Sequence, residues 1–337
     1  MMKRLGYNTV VFTDEPVITG FGSVAGKKEA EGPLGKRFDK VFYDARAGKK
    51  TFEEAEILFQ QEALAAALGR SGRRSDEIDY VFAGDLLNQC ISSSYGMKEF
   101  GVSYLGQYGA CSTMAQSLFL AALTVESGAA LSSAAVTSSH FCTAERQYRM
   151  PLEYGGQRTT TAQWTVTGSG ACVVEKSGRG ARIAAATTGV ITDLGITDMN
   201  NMGAAMAPAA ADTILNYFRA SRATPSDFDL ILTGDLGAVG SECLYDILAT
   251  EGLDIVGRHN DCGLMIYGGG QDVHAGGSGC GCSASVLCST VLPDMLDGKY
   301  DNILFVATGA LMSPVSSMQG NSIPSIAHLA HIKNGSA

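Results

Sequence analysis

The stretch "YGACSTMAQSLFLAAL" at 108–123 sets a cysteine, Cys111, between a Gly-Ala turn and the start of a helix. Ala115, Leu118, Phe119 and Ala122 recur at i, i+3, i+4 and i+7, which predicts one apolar helical face. Thr113 and Gln116 have the spacing of a capping box at its head. Cys111 and Ser112 then lie where unpaired backbone N–H groups and the positive end of the helix dipole converge. Such a mouth favours a thiolate, an oxyanion or a bound carboxylate. The residues alone leave two uses open: a nucleophilic thiol, or the floor of a pocket.

A helix mouth must be held by a larger frame, and here the chain repeats itself. "DYVFAGDL" at 79–86 returns as "DLILTGDL" at 229–236, and "SGAALSSAAVTSSH" at 127–140 resembles "DGKYDNILFVATGA" at 297–310. In each copy an apolar run of strand length ends in Gly-Asp-Leu, followed by a Gly-rich turn, a helix and a second apolar strand. That order predicts two similar α/β halves about a pseudo-twofold axis, residues 1–180 and 181–337, the second carrying a Gly-rich loop at 268–282. Within them, 53–68 predicts a helix closed by Gly69, and 208–219 predicts its counterpart, with Pro208 in the first turn. "ILFVATGALM" at 303–312 reads as a late buried strand.

The 337 residues can bury a substantial core, and 18% charged against 45% hydrophobic residues describes a globular chain, not a disordered one. A net charge of -9 with thinly spread basic residues argues against nucleic acid as a partner and against direct attraction to an anionic lipid surface. "MMKRLGYNTVVF" lacks the apolar run of a signal peptide, and the long uncharged stretches are rich in Ser, Thr and Gly. A non-exported chain without a transmembrane segment is expected, any membrane link passing through another protein. Nine cysteines in no regular framework suggest reduced thiols. Cys280 and Cys282 form a C-x-C, but no second pair supplies further ligands, so no metal site is expected.

The "GACST" run, "TVTGSGACVVE" (165–175), "GGSGCGCSASV" (276–286) and the duplicated halves together resemble the thiolase and ketoacyl-synthase superfamily. More narrowly, "AGDLLNQ" (83–89), "TSSHFCTAERQ" (137–147), "EYGGQ" (153–157), "DLGITDMNNMGAAMAPAAADTI" (193–214), "HNDCGLMIY" (259–267) and "SIPSIAH" (322–328) are similar to the stage V sporulation protein AD family of spore-forming bacteria. The resemblance implies a thiolase-like five-layered αβαβα fold, usually dimeric, with Cys111 at the nucleophile's position. The narrower likeness implies a binder of dipicolinic acid, pyridine-2,6-dicarboxylate, which helps load the developing spore. It also implies membrane subunits of the same sporulation assembly as partners, and a peripheral place at the inner membrane of the forespore or spore.

Claisen chemistry needs a base and donors for the thioester oxygen as well as a thiol. Where ketoacyl synthases carry a histidine this chain reads Gly234 and Asp235, and near their late asparagine it places Cys280, which with Gly281 is also a candidate for the ligand pocket. His274, in "VHAGG", is poorly spaced as a substitute. Loss of catalysis is therefore expected; an acyl-thioester enzyme using Cys111 is the alternative, and a structural subunit with a vestigial cleft the third reading. A flat dianion asks for donors and apolar walls. Cys111 and Ser112 would hold one carboxylate, and His140, Arg146 or Arg158 the other. The plainer uses are a carbonyl partner for His140 and a surface ion pair for Arg146. Asp85 and Asp235, related by the repeat, would bond loop N–H groups; facing the pocket, either would need a proton or a cation such as Ca²⁺ accompanying the ligand. No cofactor is otherwise expected.

Overall fold

The computed structural model describes residues 2–149 and 158–335. The "EYGGQ" motif at 153–157 lies outside the described residues. Ten principal strands form two sets of five. The first comprises Val17–Gly26 (β1), Tyr80–Gly84 (β2), Ser103–Gly106 (β3), Ser132–Ser139 (β4) and Gly168–Glu175 (β5), in the order β3-β2-β4-β5-β1. The second comprises Ala181–Thr187 (β6), Leu230–Thr233 (β7), His259–Asp261 (β8), Asn302–Ala310 (β9) and Ser325–Lys333 (β10), in the order β8-β7-β9-β10-β6.

Directions repeat along with order. β2 is parallel to β3 and β4, and β5 runs antiparallel between β4 and β1. In the same way β7 is parallel to β8 and β9, and β10 runs antiparallel between β9 and β6. The sets meet where β1 and β6 pair antiparallel, Ile18 against Ala181 and Val17 against Arg182. The two repeated segments are thus the equivalent parallel strands β2 with β4 and β7 with β9.

Strands covered on both faces need no alternation of polar and apolar residues, and β4 and β5 are buried along their whole lengths. Helices Thr113–Glu126 (α2) and Cys280–Val286 (α6) fill the middle and touch strands of both sets. Phe52–Ser71 (α1) covers the outside of the first set, Met202–Ser221 (α4) the outside of the second. This gives helix, sheet, helix, sheet, helix. Phe141–Arg149 (α3) follows β4, and Gly237–Thr250 (α5) follows β7 and packs on α4.

Two helix boundaries differ from the sequence expectation. α1 begins behind a Thr51–Glu54 capping box and ends at Gly72 in the left-handed region, φ 70°; Gly69 is an interior residue on the exposed side. α4 begins six residues before Pro208, behind Asn201, whose side chain accepts from Ala204 N–H at 3.3 Å. Pro208 lies inside the helix, since the cap fixes the start independently of the proline.

Close packing of α1 on β1 requires a bare backbone. A Cβ on Gly22 would stand 2.2 Å from the carbonyl oxygen of Ala63 and 2.7 Å from the Ala66 methyl. Gly22→Val should therefore lower unfolding stability by about 3 kcal/mol, the upper end of ordinary overpacking. Gly69→Ala, where an added Cβ meets nothing within 4 Å, should raise it by about 0.5–1 kcal/mol. Urea midpoints at unchanged m value check both.

Candidate functional site

Cys111 is placed by a strained turn. From β3 the chain returns through Gln107, whose N–H reaches the Ala83 carbonyl at 2.8 Å. Ala110 takes φ +51°, a left-handed conformation that a residue with a Cβ adopts only when its surroundings impose it. The single turn Ala110–Ser112 then leads into α2. Gly309 of β9 lies against this turn: a Cβ there would meet the Gly109 carbonyl at 2.6 Å and the Ser112 nitrogen at 3.0 Å.

The expected capping box does not form. Thr113 Oγ1 donates backwards to the Ala110 carbonyl at 2.6 Å, and Gln116 Nε2 donates to Gln107 Oε1 at 2.9 Å. Ser112 is also committed, its N–H and hydroxyl both directed at the Gly109 carbonyl, 3.2 and 2.7 Å away. The turn presents Ala110 and Cys111 to the cleft, and Ser112 belongs to the fold beneath it.

Behind Cys111 stands Asp235. The aspartate is fully buried and accepts from Gly279 N–H at 2.8 Å, the Ser278 hydroxyl at 3.2 Å and the Thr308 hydroxyl at 2.8 Å. Its backbone carbonyl accepts from Gln163 Nε2 at 2.6 Å. The Cys111 thiol lies close enough to the Asp235 carboxylate for each to shift the other's titration. Burial pushes Asp235 up to about 6 against the pull of these donors, with nearby Asp261 adding to the rise. Burial also pushes the Cys111 thiol well above its ordinary range, and the charge on Asp235 raises it further. The thiol is thus held protonated.

The cleft over Cys111 is lined by Leu86, Ala144, Tyr148, Met202, Ala310 and Met312, with Glu145, Thr165 and Ser278 among its polar wall residues. Its own cavity is about 40 Å³, and it adjoins a wider hollow of about 340 Å³ that shares Ala110, Tyr148 and Met312. None of the described lining residues of either is a lysine, arginine or histidine.

The expected cationic partners stand elsewhere. His140 Nε2 meets the Ala45 carbonyl at 2.8 Å and its Nδ1 accepts from Cys142 N–H, in a separate hollow at the start of α3. Arg146 is paired with Glu53 on the exposed surface. Arg158 reaches the Asp272 carbonyl at 3.2 Å and sits 5.0 Å from the Trp164 ring centre. His274 is on an exposed loop, 3.2 Å from Asp272. These four are not walls of the Cys111 cleft, because α3 and the Gly-rich loop turn them away from it.

Cys280 and Gly281 lie behind the cleft instead of in its wall. The Cys280 thiol donates to the Ser138 carbonyl at 2.9 Å, and a Cβ on Gly281 would stand 2.4 Å from the Gly168 carbonyl oxygen. Asp85 is spent locally, accepting from Leu87 N–H at 2.9 Å and Ser93 N–H at 2.8 Å. Of the sequence candidates, the structure brings together Cys111 and Asp235. The wall residues Ala144, Glu145, Tyr148, Thr165, Ser278, Met202 and Met312 went unread. For α3 the signal was available, since Ala144 and Tyr148 recur at i and i+4. All nine cysteines are unpaired, and among the described residues no group of three or more His, Cys, Asp or Glu is placed to hold a metal ion. No described helix is long and apolar enough to cross a membrane.

Paired strand-helix repeats with a cysteine at the inner helix mouth define a thiolase-like protein, and solved structures agree on the fold. The chain is similar to 3-oxoacyl-[acyl-carrier-protein] synthase III from Aquifex aeolicus, TM-score 0.59 at 14% identity, covering 94% of this chain and 99% of that one. It is likewise similar to cerulenin-bound OleA from Xanthomonas campestris, TM-score 0.61 at 14% identity over 98% and 100% of the two chains. Residues 6–333 match the family model for stage V sporulation protein AD, and the Bacillus subtilis protein of that name is 46% identical over 327 residues, 97% of each chain. The chain belongs to the stage V sporulation protein AD family, a family of sporulation proteins.

The Cys111–Asp235 contact makes two measurable statements. Removing the charge in Asp235→Asn should lower the thiol pKa by about one unit and speed alkylation of Cys111 by iodoacetamide about tenfold at pH 8, read by intact mass. Asp235 also binds its proton more tightly in the folded than in the unfolded chain. Its contribution therefore favours the fold fully below the ordinary aspartate range and is lost as pH rises through about 6. Asp235→Asn should flatten that part of the stability profile, followed as the urea midpoint against pH.

Proposed function

We propose that this protein binds dipicolinic acid in the Cys111 cleft without transforming it, and supports its uptake into the developing spore as a peripheral subunit of a membrane assembly at the inner spore membrane. The observation that supports the non-catalytic reading is the thiol itself: Cys111 is buried beside the Asp235 carboxylate, which keeps it protonated where acyl-transfer chemistry asks for a thiolate. Family membership supports the sporulation role.

The cleft suits the flat ring better than a free dianion. Leu86, Ala144, Met202 and Met312 supply apolar walls, while Glu145 faces the space and Asp235 lies one hydrogen bond behind it. Two ligand carboxylates need their charge offset there, by protons or by accompanying Ca²⁺. Asp235 offers a route for the proton. When ionised it takes the Ser278 hydroxyl as a donor; once protonated it releases acceptor capacity, and that donor can turn to the ligand.

The homodimer implied by the resemblance is proposed through β3. Among the described residues no further strand pairs with its outer edge, and Tyr95, Leu105 and Tyr108 are exposed nearby. An open edge with apolar neighbours suits pairing with a second copy.

Calorimetry with dipicolinate at pH 6 and pH 8 tests the binding reading. Saturable heat is expected at pH 6, with affinity falling about tenfold or more at pH 8 in the absence of calcium and a smaller fall in Asp235→Asn. Absence of heat at both values, with and without calcium, would leave a structural subunit. Incubation with acetyl-CoA followed by intact mass separates the enzyme: an acetyl adduct on Cys111 that turns over would overturn the non-catalytic reading.

A further inference from the structure

Two spaces open beside Cys111, an inner cavity of about 40 Å³ and an outer hollow of about 340 Å³, and Ala110, Tyr148 and Met312 are walls of both. A single water needs about 10–15 Å³, so the inner space takes a few waters and no ring, while the outer one has room for a ring. Of the shared walls, Ala110 has no side chain to turn. Tyr148 has the largest, and it is held by its tip.

The Tyr148 hydroxyl donates to the Leu86 carbonyl at 2.5 Å and stands 3.3 Å from the Tyr108 hydroxyl, which also reaches Asn88 Oδ1 at 3.2 Å. A phenol has one proton to give. With that of Tyr148 spent on Leu86, Tyr108 divides its own between Asn88 and Tyr148. Burial raises the Tyr148 phenol above its ordinary range, so it remains a donor. The Leu86 carbonyl, however, has a second partner: Gln147 Nε2 donates to it at 2.9 Å, and Gln147 Oε1 accepts from Asn88 N–H at 2.9 Å. This two-point clasp joins α3 to the loop after β2 whether or not Tyr148 is in place. Release of the phenol therefore strands no buried acceptor and gives up one ordinary hydrogen bond. The freed hydroxyl stands among Asn88, Tyr108 and Ser313, the polar wall residues of the outer hollow.

One ring thus divides the spaces, on a bond that can open without leaving its partner unpaired. We propose that Tyr148 is a gate that sets the size of molecule reaching Cys111. Latched to Leu86, it limits the inner space to molecules of a few atoms; unlatched, it joins the two spaces and admits a ring. The inference rests on the Cys111 cleft being the ligand site, and adds what decides entry to it.

The test reads the thiol and not dipicolinate, so an absent gate and a cleft that takes no diacid give different results. The full chain, Tyr148→Phe and Tyr148→Ala are treated with iodoacetamide and with the larger N-phenylmaleimide, and each cysteine is followed by peptide mass. Tyr148→Phe should speed modification of Cys111 about fivefold, the worth of one hydrogen bond. The factor should be the same at pH 7 and pH 9, because access and not acidity has changed. Tyr148→Ala should speed N-phenylmaleimide at Cys111 about tenfold more than it speeds iodoacetamide. Cys172 and Cys262, fully buried and in neither wall, should keep their parent rates in both variants. The proposal is overturned if Cys111 reacts at the parent rate in both variants, if Cys172 and Cys262 speed up as much as Cys111, or if the gain in Tyr148→Ala is the same for both reagents.

Discussion

The site depends on one buried carboxylate, Asp235, set beside the Cys111 thiol at the seam between the two repeats. Neither group would choose this position alone. A carboxylate without water is costly unless donors surround it, and Asp235 recovers that cost from Gly279, Ser278 and Thr308 together. These partners come from the Gly-rich loop and the inner end of β9, so the aspartate ties those two segments to one point beside the mouth of α2. The same tie fixes the chemistry. A thiol beside a negative charge in a dry site keeps its proton, and the helix mouth that could have favoured a thiolate faces an opposing charge of full strength.

The duplication clarifies how this arose from a common plan. Gly-Asp-Leu ends β2 as it ends β7, and both aspartates are buried. Asp85 bonds to Leu87 in its own loop and to Ser93 in the helix Ile91–Lys98 that follows, and stays local. Asp235 instead spans to residues more than forty positions away, because the second half carries the longer Gly-rich loop that folds back over it. One motif thus serves as a loop clasp in one half and as the centre of the site in the other.

Local features were legible in the sequence, and assembled ones were not. Cys111 could be placed at a helix mouth because turn, residue and apolar stripe lie within sixteen positions. The equivalence of the two halves followed from the repeat, since apolar runs with the same ends must occupy equivalent places in a duplicated fold, but the strand order did not. The cleft wall is different: Leu86, Ala144, Thr165, Met202, Ser278 and Met312 converge from across the chain, and each is chemically ordinary where it stands. Gly69 misled for a related reason, because a glycine on the exposed side of a helix need not end it when the left-handed residue that does is Gly72.

Arginines near the right position in sequence were attractive partners for a diacid, yet a helix turns by about 100° per residue. That rotation separates Glu145, which faces the Cys111 cleft, from Arg146, which meets Glu53 outside. Phe141 lies on the same helical face as Ala144, Glu145 and Tyr148, three, four and seven residues on, but a turn nearer the start of α3, where it stacks on Trp164. The Cys111 cleft and the hollow beside His140 are divided by the short strand Trp164–Thr165, whose consecutive side chains point to opposite sides: Thr165 lines the cleft and Trp164 the hollow.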